Sequence, residues 1–121
     1  MLLAPSLIFL LASHSLLPGV SADVISDLSG KGFTVSYPGA SNYTTASQPF
    51  NFRYAYKPAV ITYPTTIDQV SQIVKVAKAD GYNVVARSGG HSYVANGLGG
   101  KNGSIVIDMQ NFTRRAMQCQ M

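Results

Sequence analysis

Three short apolar runs and one segment of helical periodicity dominate the second half of the chain. The runs are rich in β-branched residues, as strands are, and they occupy residues 59–63, 83–87 and 104–109. Between the first two runs, apolar residues recur at helical spacing, at Ile67, Val70, Ile73, Val74 and Ala77. The pattern therefore predicts the order strand, helix, strand, strand.

The predicted helix has recognisable ends. Thr66 and Gln69 stand at the spacing of a capping box, which begins a helix. Gly81 stands where the C-terminus of a helix favours a residue in the left-handed conformation. We therefore predict a helix over about residues 67–80.

The order strand, helix, strand fits a βαβ crossover, which implies parallel strands. The apolar residues of the second and third strands are consecutive, as expected where both faces of a strand are covered. Residues 33–37 predict one further short strand within a Ser-, Thr- and Gly-rich lead-in segment, residues 23–50, that shows no chemistry. The predicted fold class is α+β with an α/β-like βαβ core.

Residues 1–22 are expected to be a secretory signal peptide. They carry no charged side chain and contain an apolar run at residues 7–12, followed by Pro18 and by small residues that a signal peptidase reads. The alternative is a short buried helix, although Pro5 and Pro18 disfavour a regular one. A signal peptide would make the protein secreted and extracellular.

Three Asn-X-Ser/Thr sequons fit a secreted glycoprotein, since each accepts a glycan if it is exposed during secretion. The motif is short enough to arise by chance, which is the alternative reading. The three asparagines are Asn42, Asn102 and Asn111.

Composition narrows the function classes. The formal net charge is +4, but only Arg114 and Arg115 are adjacent, so the concentrated basic patch that nucleic-acid binding favours is missing. A single cysteine excludes an internal disulfide. No apolar run reaches the ~18–20 residues that a spanning helix needs. We therefore expect no nucleic-acid partner, and no membrane contact after signal cleavage.

The segment richest in chemistry follows the second predicted strand. It reads Arg87-Ser88-Gly89-Gly90-His91-Ser92 and lies at the carboxyl end of a predicted parallel strand, where ligands gather in open α/β sheets. Its two glycines permit positive φ angles, and successive amides in such a turn form a nest for phosphate oxygens. Arg87 offers a charge-assisted hydrogen bond, so a dinucleotide diphosphate is a suitable ligand.

Other kinds of site fit this segment less well. The chain has neither a P-loop pattern nor a Gly-x-Gly-x-x-Gly motif that opens a helix. His91 has no Cys, Asp or Glu at metal-ligand spacing, so we expect no metal. On spacing alone, a single histidine in a glycine turn is more often structural than functional, and that alternative stays open.

The order of these elements resembles the start of a known flavin-binding domain. Residues 58–64, the helix, residues 87–93 and residues 105–109 are similar to the PCMH-type domain of FAD-linked oxidases of the vanillyl-alcohol-oxidase and p-cresol-methylhydroxylase type. Together with Asn51-x-Arg53, they resemble the berberine-bridge-enzyme-like branch, which includes secreted gluco-oligosaccharide oxidases.

The resemblance implies an FAD-dependent oxidoreductase that oxidises a sugar or another alcohol and passes the electrons to O2. Residues 87–92 would cradle the diphosphate of FAD, and His91 would be bonded covalently to the flavin. The catalytic residues stay unknown, because the family's base and substrate contacts come from regions that this sequence does not contain.

The family's proteins are several times longer than this chain. We therefore interpret residues 51–113 as a partial FAD-binding domain, its N-terminal subdomain, and residues 114–121 as a divergent tail. Cys119 lies in that tail and does not resemble the cysteine through which many members also attach FAD. We expect a fragment that is marginally stable and inactive alone. The alternatives are a non-enzymatic secreted glycoprotein module and a mis-predicted gene product.

Overall fold

The computed structural model describes residues 22–112. The predicted signal peptide, apart from its last residue, and the predicted tail with Cys119 lie outside these residues. In chain order the elements are α1 (Ala22–Gly30), β1 (Val35–Ser36), α2 (Tyr43–Ala46), a 3₁₀ helix (Phe52–Tyr54), β2 (Val60–Thr62), α3 (Ile67–Ala79), β3 (Val84–Arg87), a 3₁₀ helix (Ala95–Leu98), β4 (Ile105–Asp108) and a 3₁₀ helix (Met109–Asn111).

Within residues 22–112, four strands form one mixed sheet in the order β1-β2-β4-β3. β2 and β3 both pair in parallel with β4, whereas β1 pairs antiparallel with β2. The predicted strands and the α+β fold class are therefore confirmed. The crossover from β2 through α3 leads to β3, but β4 lies between these two strands, so they are parallel without being neighbours.

The ends of α3 agree with the prediction. The Thr66 hydroxyl accepts the N–H of Gln69 at 3.3 Å, and the Gln69 side chain accepts the N–H of Thr65 at 2.7 Å. In a standard capping box the Gln69 side chain would accept the N–H of Thr66, whereas here it accepts the N–H one residue earlier. Gly81 has a φ of +74°, and the next N–H donates to the carbonyl of Ala77 at 2.8 Å, as in a Schellman motif.

Two apolar clusters lie on the two faces of the sheet. Successive residues of a strand point to opposite faces, so the consecutive apolar residues of β2 and β4 contribute to both clusters. Helices α1 and α3 cover one face, with the buried residues Val24, Leu28, Phe33, Val60, Ile73, Ala77, Ile105 and Ile107. The cluster on the other face contains Ile61, Tyr63, Leu98 and Val106.

β3 departs from the expectation of a strand covered on both faces. β4 is buried along its whole length, but in β3 the Val84 side chain is 38% exposed and Ala86 is also exposed. β3 is an edge strand, whereas the cluster beneath α3 is built from residues of β2 and β4. The expectation is therefore confirmed for β4 and wrong for β3.

The lead-in segment contains a helix that its Ser- and Gly-rich composition conceals. In α1, Val24 and Leu28 stand four residues apart, and both are fully buried in the cluster that contains α3 residues. This helical spacing is the only local sign of α1 in the sequence. No helix within residues 22–112 has the length and apolar character needed to cross a membrane.

Candidate functional site

The carboxyl ends of the three parallel strands meet at one edge of the sheet, and the glycine loop, residues 88–92, starts there. Gly90 has a φ of +71°, a conformation that favours glycine. Gly89 has no positive φ, but a Cβ at this position would lie 3.0 Å from Cδ2 of His91. Glycine at position 90 is therefore favoured for its backbone conformation, and glycine at position 89 leaves space beside the His91 ring.

The backbone amides of the glycine loop are free to bind a ligand. Within residues 22–112, none of the N–H groups of residues 88–92 donates a hydrogen bond to a protein acceptor. All five residues are exposed. Successive unpaired amides in a turn form an anion-binding concavity, so this loop can accept phosphate oxygens.

A cleft of about 370 Å³ opens beside the glycine loop, and we refer to it as the first cleft. All six predicted cofactor-binding residues, Arg87 to Ser92, line it. Its volume lies within the range of roughly 300–1,000 Å³ that small-molecule sites occupy. Part of its lining comes from the segment before β2, with Gln48, Pro49, Phe50, Asn51 and Tyr54.

His91 lies in the lining of the first cleft and not in the core. Its side chain is exposed, and its ring centroid is 5.0 Å from that of Phe50, with the planes tilted by 58°. Phe50 also contacts Tyr93 edge to face, at a centroid distance of 4.9 Å. His91 belongs to neither apolar cluster, so its position is not explained by packing of the sheet.

The guanidinium of Arg87 is held by protein groups. Its Nε and Nη2 donate to Oδ2 of Asp108, at 2.8 and 2.5 Å, and its Nη1 donates to the carbonyl of Ala46 at 2.7 Å. The side chains of Arg87 and Asp108 are only 13% and 4% exposed. This ion pair joins the end of β3 to the end of β4. Arg87 therefore fixes the point from which the glycine loop starts, and a diphosphate could use only its remaining N–H groups.

A second cleft of about 410 Å³ shares Arg87, Ser88, Gly89 and Gly90 with the first. Tyr63 and Asp108 also line it. Burial raises the pKa of the Tyr63 phenol, while the Arg87 guanidinium lowers it and Asp108 adds to the increase. The phenol therefore stays protonated into the alkaline range. Neither cleft, nor any other part of residues 22–112, gathers three His, Cys, Asp or Glu side chains that could hold a metal ion.

Comparison with known families identifies this arrangement. Residues 58–120, just over half of the chain, match the family described as the FAD binding domain. The chain belongs to the FAD binding domain family. The match includes the whole glycine loop, and it continues past residue 113, where we expected the family likeness to end.

This FAD binding domain is similar to part of several oxidases. It is 33% identical over 103 residues to the chitooligosaccharide oxidase of Gibberella zeae, which covers 85% of this chain and 21% of that relative. The structure of BBE-like 1 from Physcomitrella patens gives a TM-score of 0.69 at 40% identity, over 73% of this chain and 19% of the other. The glucooligosaccharide oxidase of Acremonium strictum, described with a 6-S-cysteinyl, 8α-N1-histidyl FAD, gives 0.65 at 25% identity, over 69% and 18%.

The chain therefore spans about a fifth of the length of these relatives. The predicted family, its berberine-bridge-enzyme-like branch and its cofactor FAD are confirmed by these matches.

Sequence reasoning missed several residues that shape the two clefts beside the glycine loop. Asp108 stands in register with Arg87 on the neighbouring strand, and opposite charges at the ends of two predicted parallel strands were a usable signal. Asn51 is singled out in the sequence only through the Asn-x-Arg resemblance, and Phe50 is not singled out at all. The contacts that Asn51 and Phe50 make with the glycine-loop region join residues about forty positions apart in the sequence, and no local pattern predicts them.

The three predicted glycosylation sites are exposed and lie at different places. Asn42 lines the second cleft. Asn102 accepts the N–H of Lys57 at 2.8 Å, beside the amino ends of β2 and β4. Asn111 is the last residue of the 3₁₀ helix that follows β4, and Thr113 of its sequon lies outside the described residues. Asn102 is thus at the end of the sheet that is farther from the glycine loop.

Proposed function

We propose that this FAD binding domain holds the diphosphate of FAD in the glycine loop and carries the flavin on His91. The domain would serve an oxidase that acts on a carbohydrate or another alcohol. One observation carries the proposal: five successive residues with free amides, one of them bearing an exposed imidazole, line a cleft of suitable size.

The residues of the first cleft fit a diphosphate. The two glycines leave no side chain between the loop amides and a ligand, and Ser88 and Ser92 offer hydroxyl donors beside them. The lining of the first cleft contains no Asp or Glu, so no carboxylate there repels a dianion. The family match and the oxidases among the relatives support the same assignment.

His91 is suited to a covalent bond with the flavin. Within residues 22–112 its imidazole makes no hydrogen bond, so neither ring nitrogen is committed to a protein partner. In the attachment, an imidazole N–H and one C–H of the flavin 8α methyl would be replaced by a C–N bond. The two electrons and two protons released would reduce O2 to H2O2. The histidyl FAD described for the Acremonium strictum oxidase supports this role.

Bound FAD would supply two-electron oxidation of the substrate alcohol. The described residues would bind and orient the cofactor, but they place no carboxylate in the first cleft that could take the substrate proton. We therefore expect residues 22–112 to bind FAD without turning over a sugar. A base from elsewhere in the oxidase would complete the site.

Secretion and glycosylation form a separate part of the proposal. A glycan on Asn102 would leave the carboxyl ends of the strands clear, whereas one on Asn42 would crowd the second cleft beside Arg87. We expect protein expressed through a secretory pathway to carry a glycan on Asn102. Endoglycosidase treatment followed by peptide mass spectrometry tests this, and an unmodified Asn102 would contradict it.

A titration of the full chain with FAD, followed by quenching of flavin fluorescence, tests the diphosphate site. Inorganic pyrophosphate should compete with FAD, and riboflavin, which lacks the diphosphate, should bind much more weakly. Gly90→Ala should weaken FAD binding about tenfold, because a side chain strains the +71° φ by roughly 1–3 kcal/mol.

Gly103→Ala is the matched control for this titration. Gly103 also has a positive φ, of +80°, but it lies at the other end of the sheet with open space around it. Equal affinities for riboflavin and FAD, or equal losses in the two variants, would refute the assignment.

A further inference from the structure

A single side chain joins the segment before β2 to the glycine-loop region. The Asn51 Nδ2 donates to the backbone carbonyl of Tyr93 at 3.0 Å, across 42 residues of sequence. The Oδ1 of the same side chain accepts the N–H of Arg53 at 3.1 Å and so caps the 3₁₀ helix Phe52–Tyr54. Because both ends of the amide are used, its orientation is set by two different partners.

Two groups border the imidazole of His91. The ring of Phe50 lies at a centroid distance of 5.0 Å. Gly89 lies so close to the imidazole that a Cβ there would come within 3.0 Å of Cδ2. Phe50 also contacts Tyr93, the residue whose carbonyl Asn51 holds. Phe50 and Asn51 therefore act on the same short stretch of chain, one through the rings and the other through the backbone.

Burial of apolar area does not account for these contacts. Phe50 is 44% exposed and Tyr93 is 70% exposed, and neither belongs to the two apolar clusters of the sheet. An aromatic residue that is selected only for core stability would be buried. Phe50 and His91 instead both line the first cleft, and His91 supplies the one imidazole in that lining.

We propose that Phe50 and Asn51 are positioning residues that set the orientation of the His91 imidazole before the flavin is attached. The inference rests on the proposed role of His91. Phe50 limits the rotation of the imidazole, and Asn51 holds the backbone at Tyr93 so that the glycine loop keeps its path. Attachment then starts from an imidazole that is already oriented, which removes part of its entropic barrier.

The test uses the full chain and two readouts. The first is the NMR spectrum of the apo chain labelled with ¹³C-histidine, which reports the contact of His91 with an aromatic ring without any flavin. The second is the rate of covalent flavin attachment, measured as fluorescence of the protein band after denaturing electrophoresis, alongside the non-covalent affinity for FAD.

The variants are chosen in pairs. Phe50→Leu removes the ring, and Phe50→Tyr restores one. Phe52→Leu is the control, since Phe52 is 71% exposed in the same segment, does not line the first cleft and has no ring contact within residues 22–112. Asn51→Asp keeps an acceptor for the Arg53 N–H but removes the donor to the Tyr93 carbonyl.

Phe50→Leu should shift the His91 ring resonances and slow attachment about two- to tenfold, the range that the loss of one aromatic pair gives. Asn51→Asp should slow attachment similarly. Phe50→Tyr and Phe52→Leu should match wild type, and the urea midpoints should change little. Attachment rates are compared at saturating FAD, because Asn51→Asp adds a carboxylate to the first cleft and should weaken the non-covalent binding of FAD.

Unchanged His91 resonances in Phe50→Leu would overturn the inference, and so would attachment at the wild-type rate in both Phe50→Leu and Asn51→Asp. If wild type itself gains no covalent flavin, the proposed role of His91 fails, and the positioning role for attachment fails with it. A shifted resonance would then show only that Phe50 contacts the imidazole.

Discussion

Breaking the ion pair between Arg87 and Asp108 should destabilise the FAD binding domain strongly. The two side chains are 13% and 4% exposed, and two N–H groups of the guanidinium share one carboxylate oxygen. Removing one partner of such a pair leaves an uncompensated charge, which costs about 3–5 kcal/mol. Among residues 22–112, Arg87→Met would leave the Asp108 carboxylate with only the N–H of Gln110, at 2.9 Å. We therefore expect a loss in this range.

The partner variant Asp108→Asn keeps the size of the side chain and an oxygen for the Gln110 N–H, but leaves the Arg87 charge without its counter-ion. The double variant Arg87→Met/Asp108→Asn should be destabilised by less than the sum of the two single changes, because no unpaired charge is left. The expected coupling is about 1–3 kcal/mol.

Urea denaturation followed by circular dichroism measures these free energies. Domains of this kind are stable by only about 5–15 kcal/mol, and we expect this chain to lie low in that range because β3 has an exposed edge and face. Trimethylamine N-oxide in every sample would keep the variants within the folded baseline. Single changes that each cost less than about 1 kcal/mol, or costs that simply add, would refute the reasoning.

Two further predictions concern a close approach and a half-buried phenol. Gly99→Ala should cost more stability than Gly103→Ala. Both positions have a positive φ, but only a Cβ on Gly99 would overlap a neighbouring side chain, that of Ser104. Equal urea midpoints for the two variants would contradict this. Burial raises the pKa of Tyr43, whose hydroxyl donates to the carbonyl of Pro58 at 2.6 Å. The stability that this phenol contributes is fully present below pH 10.0 and is lost as pH rises through the higher pKa of the folded state. The urea midpoint of Tyr43→Phe should therefore decline less at alkaline pH than that of wild type. Parallel declines in the two proteins would argue against this.

Local patterns predicted the elements that depend on local physics. The strand runs, the capping residues of α3 and the positive φ at Gly81 follow from neighbours within a few positions, and the structure has each of them. The glycine loop at a strand end follows from the same kind of reasoning. The sequence could therefore locate the loop and name its residues.

Contacts between distant parts of the chain were beyond this reasoning. The position of β4 between β2 and β3 depends on pairing energies that no local pattern records. For the same reason Val84 was expected to be covered although it lies on the edge strand. The guanidinium of Arg87 was assigned to a ligand, whereas the structure places it on Asp108, a partner that only the strand register reveals.

The account depends on His91 as the point of flavin attachment at the edge of the diphosphate loop. Intact mass spectrometry of the full chain, incubated aerobically with FAD and then unfolded, tests this most directly. The account predicts a mass increase equal to FAD less two hydrogen atoms, which is lost in His91→Ala but kept in Phe52→Leu. An unchanged mass in wild type, or the same increase in His91→Ala, would contradict it.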